Sequence, residues 1–146
     1  MVLNKDEIKK YLPHRDPFLF VDEIIEFKAS ESIKAKSTFD EESFFFKGHF
    51  PGNPVVPGVV ILEAMAQVGG VLIYKSFEKD LVGRPPALVG IDKAKFKSPT
   101  FPNETLIIEV FLVKKKLNIF KISSNAYKDE KLVVHAEITA TVLPGN

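Results

Sequence analysis

A chain of 146 residues, 45% hydrophobic and 27% charged, is long enough to bury a core and too apolar to stay disordered. Twenty basic residues against nineteen acidic ones leave a net charge of +1, which removes the electrostatic case for a nucleic-acid surface. The absence of cysteine excludes disulfides, thiolate nucleophiles and thiolate metal sites together. The length predicts one domain over residues 1–146. The charged opening, MVLNKDEIKKYL, lacks the apolar stretch of a signal peptide, so a soluble, cytoplasmic chain with no membrane or nucleic-acid partner is expected.

Asn4 and Glu7 have capping-box spacing and predict a short helix over about Lys5–Tyr11. LPHRDPF interrupts it with Pro13 and Pro17. Phe18–Lys28 is rich in strand formers, and Ser32–Phe39 alternates Ile33, Ala35, Ser37 and Phe39 against polar residues, which predicts a hairpin. Lys47–Pro57 carries Gly48, Pro51, Gly52, Pro54 and Pro57 and reads as a stiff loop.

A helix is expected from Gly58 to Phe77. Its apolar residues occupy every face, so it should be surrounded by protein, with Gly69 and Gly70 letting another backbone approach. Its apolar run Val59–Tyr74 is shorter than the roughly 20 residues a membrane span needs. Strands are then predicted over Ala87–Ser98, Glu104–Lys115, Leu117–Lys128 and Lys131–Leu143. Five or six strands with one long apolar helix imply an α+β fold, a curved antiparallel sheet wrapped about a central helix. An open sheet edge invites pairing across a two-fold axis, so a dimer is expected.

Glu63 is the only ionisable residue in that apolar run, and His49 lies just upstream in GHFPGNPVVPG. A carboxyl held among apolar neighbours favours its uncharged, proton-donating form, while a neutral imidazole accepts protons. The helix begins directly after Pro57, so its free N–H groups and positive dipole end can stabilise charge on a substrate oxygen. Gln67 lies one turn beyond Glu63 and can orient it. An acid, a base and an oxyanion site suit elimination of water from a 3-hydroxyacyl thioester, which needs neither redox cofactor nor metal. Each residue also has a plainer reading. His49 can be an ordinary loop histidine, Glu63 a structurally paired acid, and most of the thirteen Phe simple core.

The stretches LPHRDPFLFVD (Leu12–Asp22), GHFPGNPVVPGVVILEAMAQ (Gly48–Gln67) and GIDKAKFKSP (Gly90–Pro99) resemble the β-hydroxyacyl-acyl carrier protein dehydratases of type II fatty-acid synthesis. The likeness runs from about Ile8 to Ala140. It implies the hot-dog fold, homodimers commonly assembled as trimers of dimers, and an active site at the dimer interface. It implies that His49 of one protomer faces Glu63 of the other, with the Gly58 N–H on the thioester carbonyl and acyl carrier protein as partner. Val59, Phe50 and Gln67 are the substrate-side residues the match adds, and no cofactor or metal is implied.

A related branch that also isomerises the double bond usually carries Asp at the Glu63 position, so Glu63 favours the plain dehydratase. Asp16 stands where relatives often have Tyr, and Pro102–Asn103–Glu104 replaces a common Pro-Gly-Asp turn. His14 and Arg15 are expected to anchor their loop. His135 is expected to be structural. Lys93, Lys95 and Lys97 are expected on one strand face, where they meet either solvent or an acidic carrier. The alternatives that remain are a hot-dog acyl thioesterase and a non-catalytic acyl-thioester sensor.

Overall fold

A computed structural model describes residues 1–145. The elements in chain order are α1 (Lys5–Ile8), β1 (Glu23–Lys28), β2 (Ser32–Thr38), a 3-10 turn (Phe44–Lys47), α2 (Gly58–Ser76), α3 (Glu78–Leu81), β3 (Pro86–Phe96), β4 (Thr105–Lys116), β5 (Ile119–Lys128) and β6 (Lys131–Val142). All six strands join one antiparallel sheet in the order β1-β2-β4-β5-β6-β3.

The alternating pattern of the strands settles which face turns inward. Ile33, Ala35 and Ser37 of β2, Leu106, Ile108 and Val110 of β4, and Ala136 and Ile138 of β6 are all buried. They close over Met65, Val68, Val71 and Leu72 of α2, which makes the helix the core of the molecule. By length and composition this 19-residue helix passes the test for a membrane span, but the sheet packs around it.

The capping box forms as expected: Glu7 N–H donates to Asn4 Oδ1 at 2.9 Å and Asn4 N–H to Glu7 Oε1 at 3.0 Å. α1 nevertheless ends at Ile8, three residues before the expected Tyr11, and turns toward Pro13. The predicted strand Phe18–Lys28 starts only at Glu23. Upstream, the Phe20 backbone bonds to side chains instead of a ladder: its N–H donates to Gln67 Oε1 and its carbonyl accepts from Ser37 Oγ.

Gly69 and Gly70 do admit close neighbours, but these are side chains and not a second backbone. A Cβ on Gly69 would overlap Ile122 Cδ1, and one on Gly70 would lie 2.9 Å from Leu12 Cδ2. The turn variant Pro102–Asn103–Glu104 is also accounted for. Asn103 takes φ +69°, a conformation that glycine adopts freely and asparagine tolerates, and its N–H donates to Phe39 O.

The single chain does not surround α2 completely. Val59, Leu62, Glu63, Ala66 and Gly70 form a stripe at helical spacing that stays partly open. On β3, Leu88, Val89 and Phe96 are 55%, 57% and 53% exposed.

Candidate active site

The site grows from the junction of the stiff loop with α2. His49 lies just after the 3-10 turn, and its Nδ1 is 2.9 Å from the carbonyl of Val55. A carbonyl only accepts, so Nδ1 carries the proton and Nε2 keeps a free lone pair. The ring stacks on Phe50, with centroids 4.0 Å apart and planes at 26°, and half of Phe50 remains open to solvent. The His49–Phe50 peptide bond is cis, as is Asp16–Pro17.

Pro57 forms the N-cap of α2, with no side-chain cap, and its carbonyl accepts from Val60 and Ile61. The N–H groups of Gly58 and Val59 therefore point out of the first turn without an intrahelical acceptor. The ring of Phe96 lies against Gly58, where a Cβ would stand 2.7 Å from its Cε1. His49, Gly58, Ile61, Phe96, Ser98 and Val134 line one cleft.

Glu63 opens onto a different cavity, bounded by His14, Gln67, Gly70, Tyr74 and Phe120 among others. Its side chain is 29% exposed, so the single chain does not bury the carboxyl as deeply as the apolar run implied. The reason is geometric: Glu63 lies in the open stripe of α2.

Gln67 is 2% exposed and fully engaged. Its Oε1 accepts from Phe20 N–H at 2.8 Å, while its Nε2 donates to Phe18 O at 2.9 Å and to Glu63 Oε2 at 2.8 Å. Two backbone partners of opposite kind thus determine which way the amide faces. Because the Gln67 Nε2–H donates to Oε2, that oxygen is an acceptor, and Oε1 is left without a partner from Gln67.

Within one chain, then, Gln67 and Glu63 meet as expected, while His49 and Gly58 line a separate cleft from Glu63. Val59 stands exposed on the first turn of α2, at the head of the open stripe. Arg15 has the loop-anchoring role foreseen for it, donating to Leu12 O, His14 O and Lys9 O at 2.8, 2.7 and 3.2 Å. His135 pairs across the sheet with Asn125 Oδ1 at 2.7 Å.

Sequence reasoning gave His14 only a loop-anchoring role and did not foresee its contact with the acid: its Nε2 lies 3.6 Å from Glu63 Oε2. No periodicity links a loop residue to a helix 49 positions later, and the signal that singled it out was its place in the stretch LPHRDPFLFVD. The lysines of β3 do not keep one face, because a bulge at Lys93 (φ +51°) interrupts the alternation and Lys93 pairs with Glu137 at 3.3 Å. Asp16 replaces the expected tyrosine with an ion-pair partner, 3.6 Å from Lys5.

A long helix wrapped by one antiparallel sheet, with a carboxyl in its open stripe and a histidine loop at its N-terminus, is the hot-dog architecture. Structural likeness agrees. The dehydratase heterocomplex ApeI:P from Xenorhabdus doucetiae matches with a TM-score of 0.80 at 16% identity, covering 94% of this chain and 91% of that one. A hypothetical thioesterase with coenzyme A from Streptococcus pneumoniae matches at 0.64 and 12% identity, covering 85% of this chain and 87% of that one. Both likenesses speak to the fold alone.

Sequence carries the assignment further. The model of the FabA-like domain matches residues 12–137. The 3-hydroxyacyl-[acyl-carrier-protein] dehydratase FabZ of Lawsonia intracellularis is 45% identical over 140 residues, covering 95% of this chain and 92% of that protein. The protein of the same name from Syntrophobacter fumaroxidans is 43% identical over 136 residues, covering 93% and 91%. The chain belongs to the FabA-like domain family and is similar in sequence to its FabZ dehydratases.

Proposed function

We propose that this protein dehydrates (3R)-3-hydroxyacyl groups carried on acyl carrier protein to trans-2-enoyl groups, as a cofactor-free hydro-lyase of fatty-acid elongation. The observation that carries the reading is a Glu63 whose Oε2 is held by Gln67, leaving Oε1 for the substrate, together with a His49 whose Nδ1 is engaged by Val55, inside a chain 45% identical to a named dehydratase.

His49 Nε2 takes the α-proton from C2 while the Gly58 N–H draws charge onto the thioester oxygen. The C2–H electrons form the C2=C3 bond, the C3–O bond breaks, and Glu63 Oε1 gives its proton to the departing hydroxyl. Water and the enoyl thioester leave. The imidazolium and carboxylate return to their starting forms by net transfer of one proton from His49 to Glu63. Phe50 and Val59 provide apolar surface beside the acyl chain, and Gln67 keeps the carboxyl aimed.

His49 and Glu63 line separate cavities of one chain, so the working site is assigned to a homodimer in which each histidine meets the partner's carboxyl. The apolar, unpaired edge of β3 supports that arrangement, since such an edge is a template for another strand. A trimer of such dimers in the cytoplasm is the assembly we assign, with one hot-dog domain over residues 1–146 in each protomer.

Hydration of a crotonyl thioester, followed at the enoyl chromophore, tests the reading. Glu63→Gln and His49→Ala should each remove steady-state hydration and leave only a slow single-turnover rate. Near-normal rates in both would end the catalytic assignment, and release of free thiol would point to a thioesterase instead.

A further inference from the structure

Of the two histidines that the proposed chemistry leaves unused, His135 pairs with Asn125 across the sheet, whereas His14 stands against the acid. Its loop is held from both sides. Arg15 donates to the carbonyls of Leu12 and His14, and four to six residues further on the backbone of Phe18 and Phe20 is bonded to Gln67. The segment that orients Gln67 therefore also places His14, and both side chains arrive at the same oxygen, Glu63 Oε2.

The imidazole is 22% exposed, and its Nδ1 is buried without any hydrogen-bond partner among the described residues. Burial holds its pKa below the ordinary 6.5, against the opposing pull of Glu63 and with a smaller contribution from Arg15. A neutral ring has one N–H. On Nδ1 that hydrogen would be a buried donor with no acceptor, whereas on Nε2 it points at a carboxyl oxygen.

We propose that His14 is a positioning residue for Glu63, presenting Nε2–H to Oε2 beside Gln67 so that Oε1 alone carries the transferable proton. This rests on the dehydratase reading given above. At 3.6 Å the contact is electrostatic and not yet a hydrogen bond. Closing it by roughly 0.7 Å would give a charge-assisted bond of ordinary length. The carboxylate left after Glu63 has given up its proton attracts the N–H more than the neutral acid does. The contact therefore tightens as the reaction proceeds, which favours the transition state over the ground state.

The test is a double-mutant cycle on the full-length protein, with kcat and KM measured on a carrier-bound 3-hydroxyacyl substrate. His14→Phe keeps a ring but no donor, and His14→Leu serves the same arm if the phenylalanine variant does not fold. His14→Gln keeps an N–H donor. The expected result is a kcat loss of roughly 10- to 100-fold in His14→Phe with KM within about twofold, and partial recovery in His14→Gln. In a Glu63→Gln background, single-turnover rates should show no further loss from His14→Phe.

Three outcomes would overturn the proposal. One is a kcat within about twofold of the parent in His14→Phe, and another is an equal loss in both backgrounds, which marks a structural role. The third is near-normal turnover by Glu63→Gln, which would remove the parent reading and this assignment with it. A dead Glu63→Gln beside a fully active His14→Phe would remove this assignment alone.

Discussion

Replacing Gln67 with leucine should cost both stability and catalysis, because one buried amide serves three partners. Leucine keeps the volume and loses every polar contact. The Phe20 N–H, in a buried residue, is left without an acceptor, at about 1–3 kcal/mol. The Phe18 carbonyl belongs to a residue 46% exposed, so its loss is set nearer the net value of one hydrogen bond, about 1 kcal/mol. The sum, about 2–4 kcal/mol, converts at about 2–4 °C per kcal/mol to a Tm lowered by roughly 4–16 °C. Glu63 also loses the donor that holds its Oε2. A bond to a potentially charged group contributes about 1.5–3 kcal/mol, so kcat should fall by roughly 10- to 100-fold. Scanning calorimetry and a coupled turnover assay read the two effects separately. A variant that melts within about 1 °C of the parent and keeps its kcat would refute the claim that this amide ties the Phe18–Phe20 segment to the acid.

Gly69→Ala should destabilise relative to Gly70→Ala, since the first Cβ overlaps Ile122 Cδ1 in the core and the second only nudges Leu12 at a partly open position; the difference in urea midpoint should correspond to about 1–3 kcal/mol. Tyr74 donates to the carbonyl of Arg84, and burial pushes its pKa up to about 12, so the folded state holds the phenol proton more tightly than the unfolded chain. That part of the stability is intact below pH 10 and lost as pH rises toward 12; Tyr74→Phe should flatten the slope there. For His14 the sign reverses. Below pH 6.5 the unfolded chain takes up a proton that the buried ring resists, so stability falls with pH, and the denaturant midpoint of His14→Gln should fall less than that of the parent between pH 7.5 and 5. Val89→Lys puts a charge on the apolar edge of β3, and the proposed dimer should dissociate in sedimentation velocity and lose activity together. Monomers that retain full turnover would show that the site needs no second chain.

The strands were legible because alternation is a local signal. Ile33, Ala35 and Ser37 on β2, and Leu106, Ile108 and Val110 on β4, were read from neighbours two positions apart, and all are buried. Gln67 beside Glu63 was legible for the same reason, one turn apart on one helix. What the pattern could not reach depends on contacts distant in the chain. Phe18–Asp22 has the composition of a strand, yet Gln67 and Ser37 claim the backbone groups of Phe20 that a ladder would use. His14 reads as a loop anchor by its neighbours, and only the tertiary fold sets it against Glu63 while Arg15 does the anchoring.

The apolar character of α2 illustrates a deeper ambiguity. Composition reports that a surface must leave water and is silent on what covers it. Ile61, Met65, Val68 and Leu72 are covered by the chain's own sheet, whereas Val59, Leu62 and Ala66 are equally apolar and remain partly open. The two edges of the sheet differ in the same way. β1 carries Glu23, Glu26 and Lys28, and Glu26 pairs with Lys34 at 3.5 Å, a charged border that discourages another strand. β3 begins Pro86-Ala87-Leu88-Val89, with no charge before Asp92 and its large apolar side chains open to solvent. An edge so unguarded beside a helix stripe so apolar is costly in a lone chain and favourable in a pair. Because Glu63 lies in that stripe and His49 on the loop leading into the same helix, the surface that would hold two copies together is also the one that would complete the chemistry. In the proposed dimer, assembly and catalysis would draw on one set of residues, and a change to either should be felt by both.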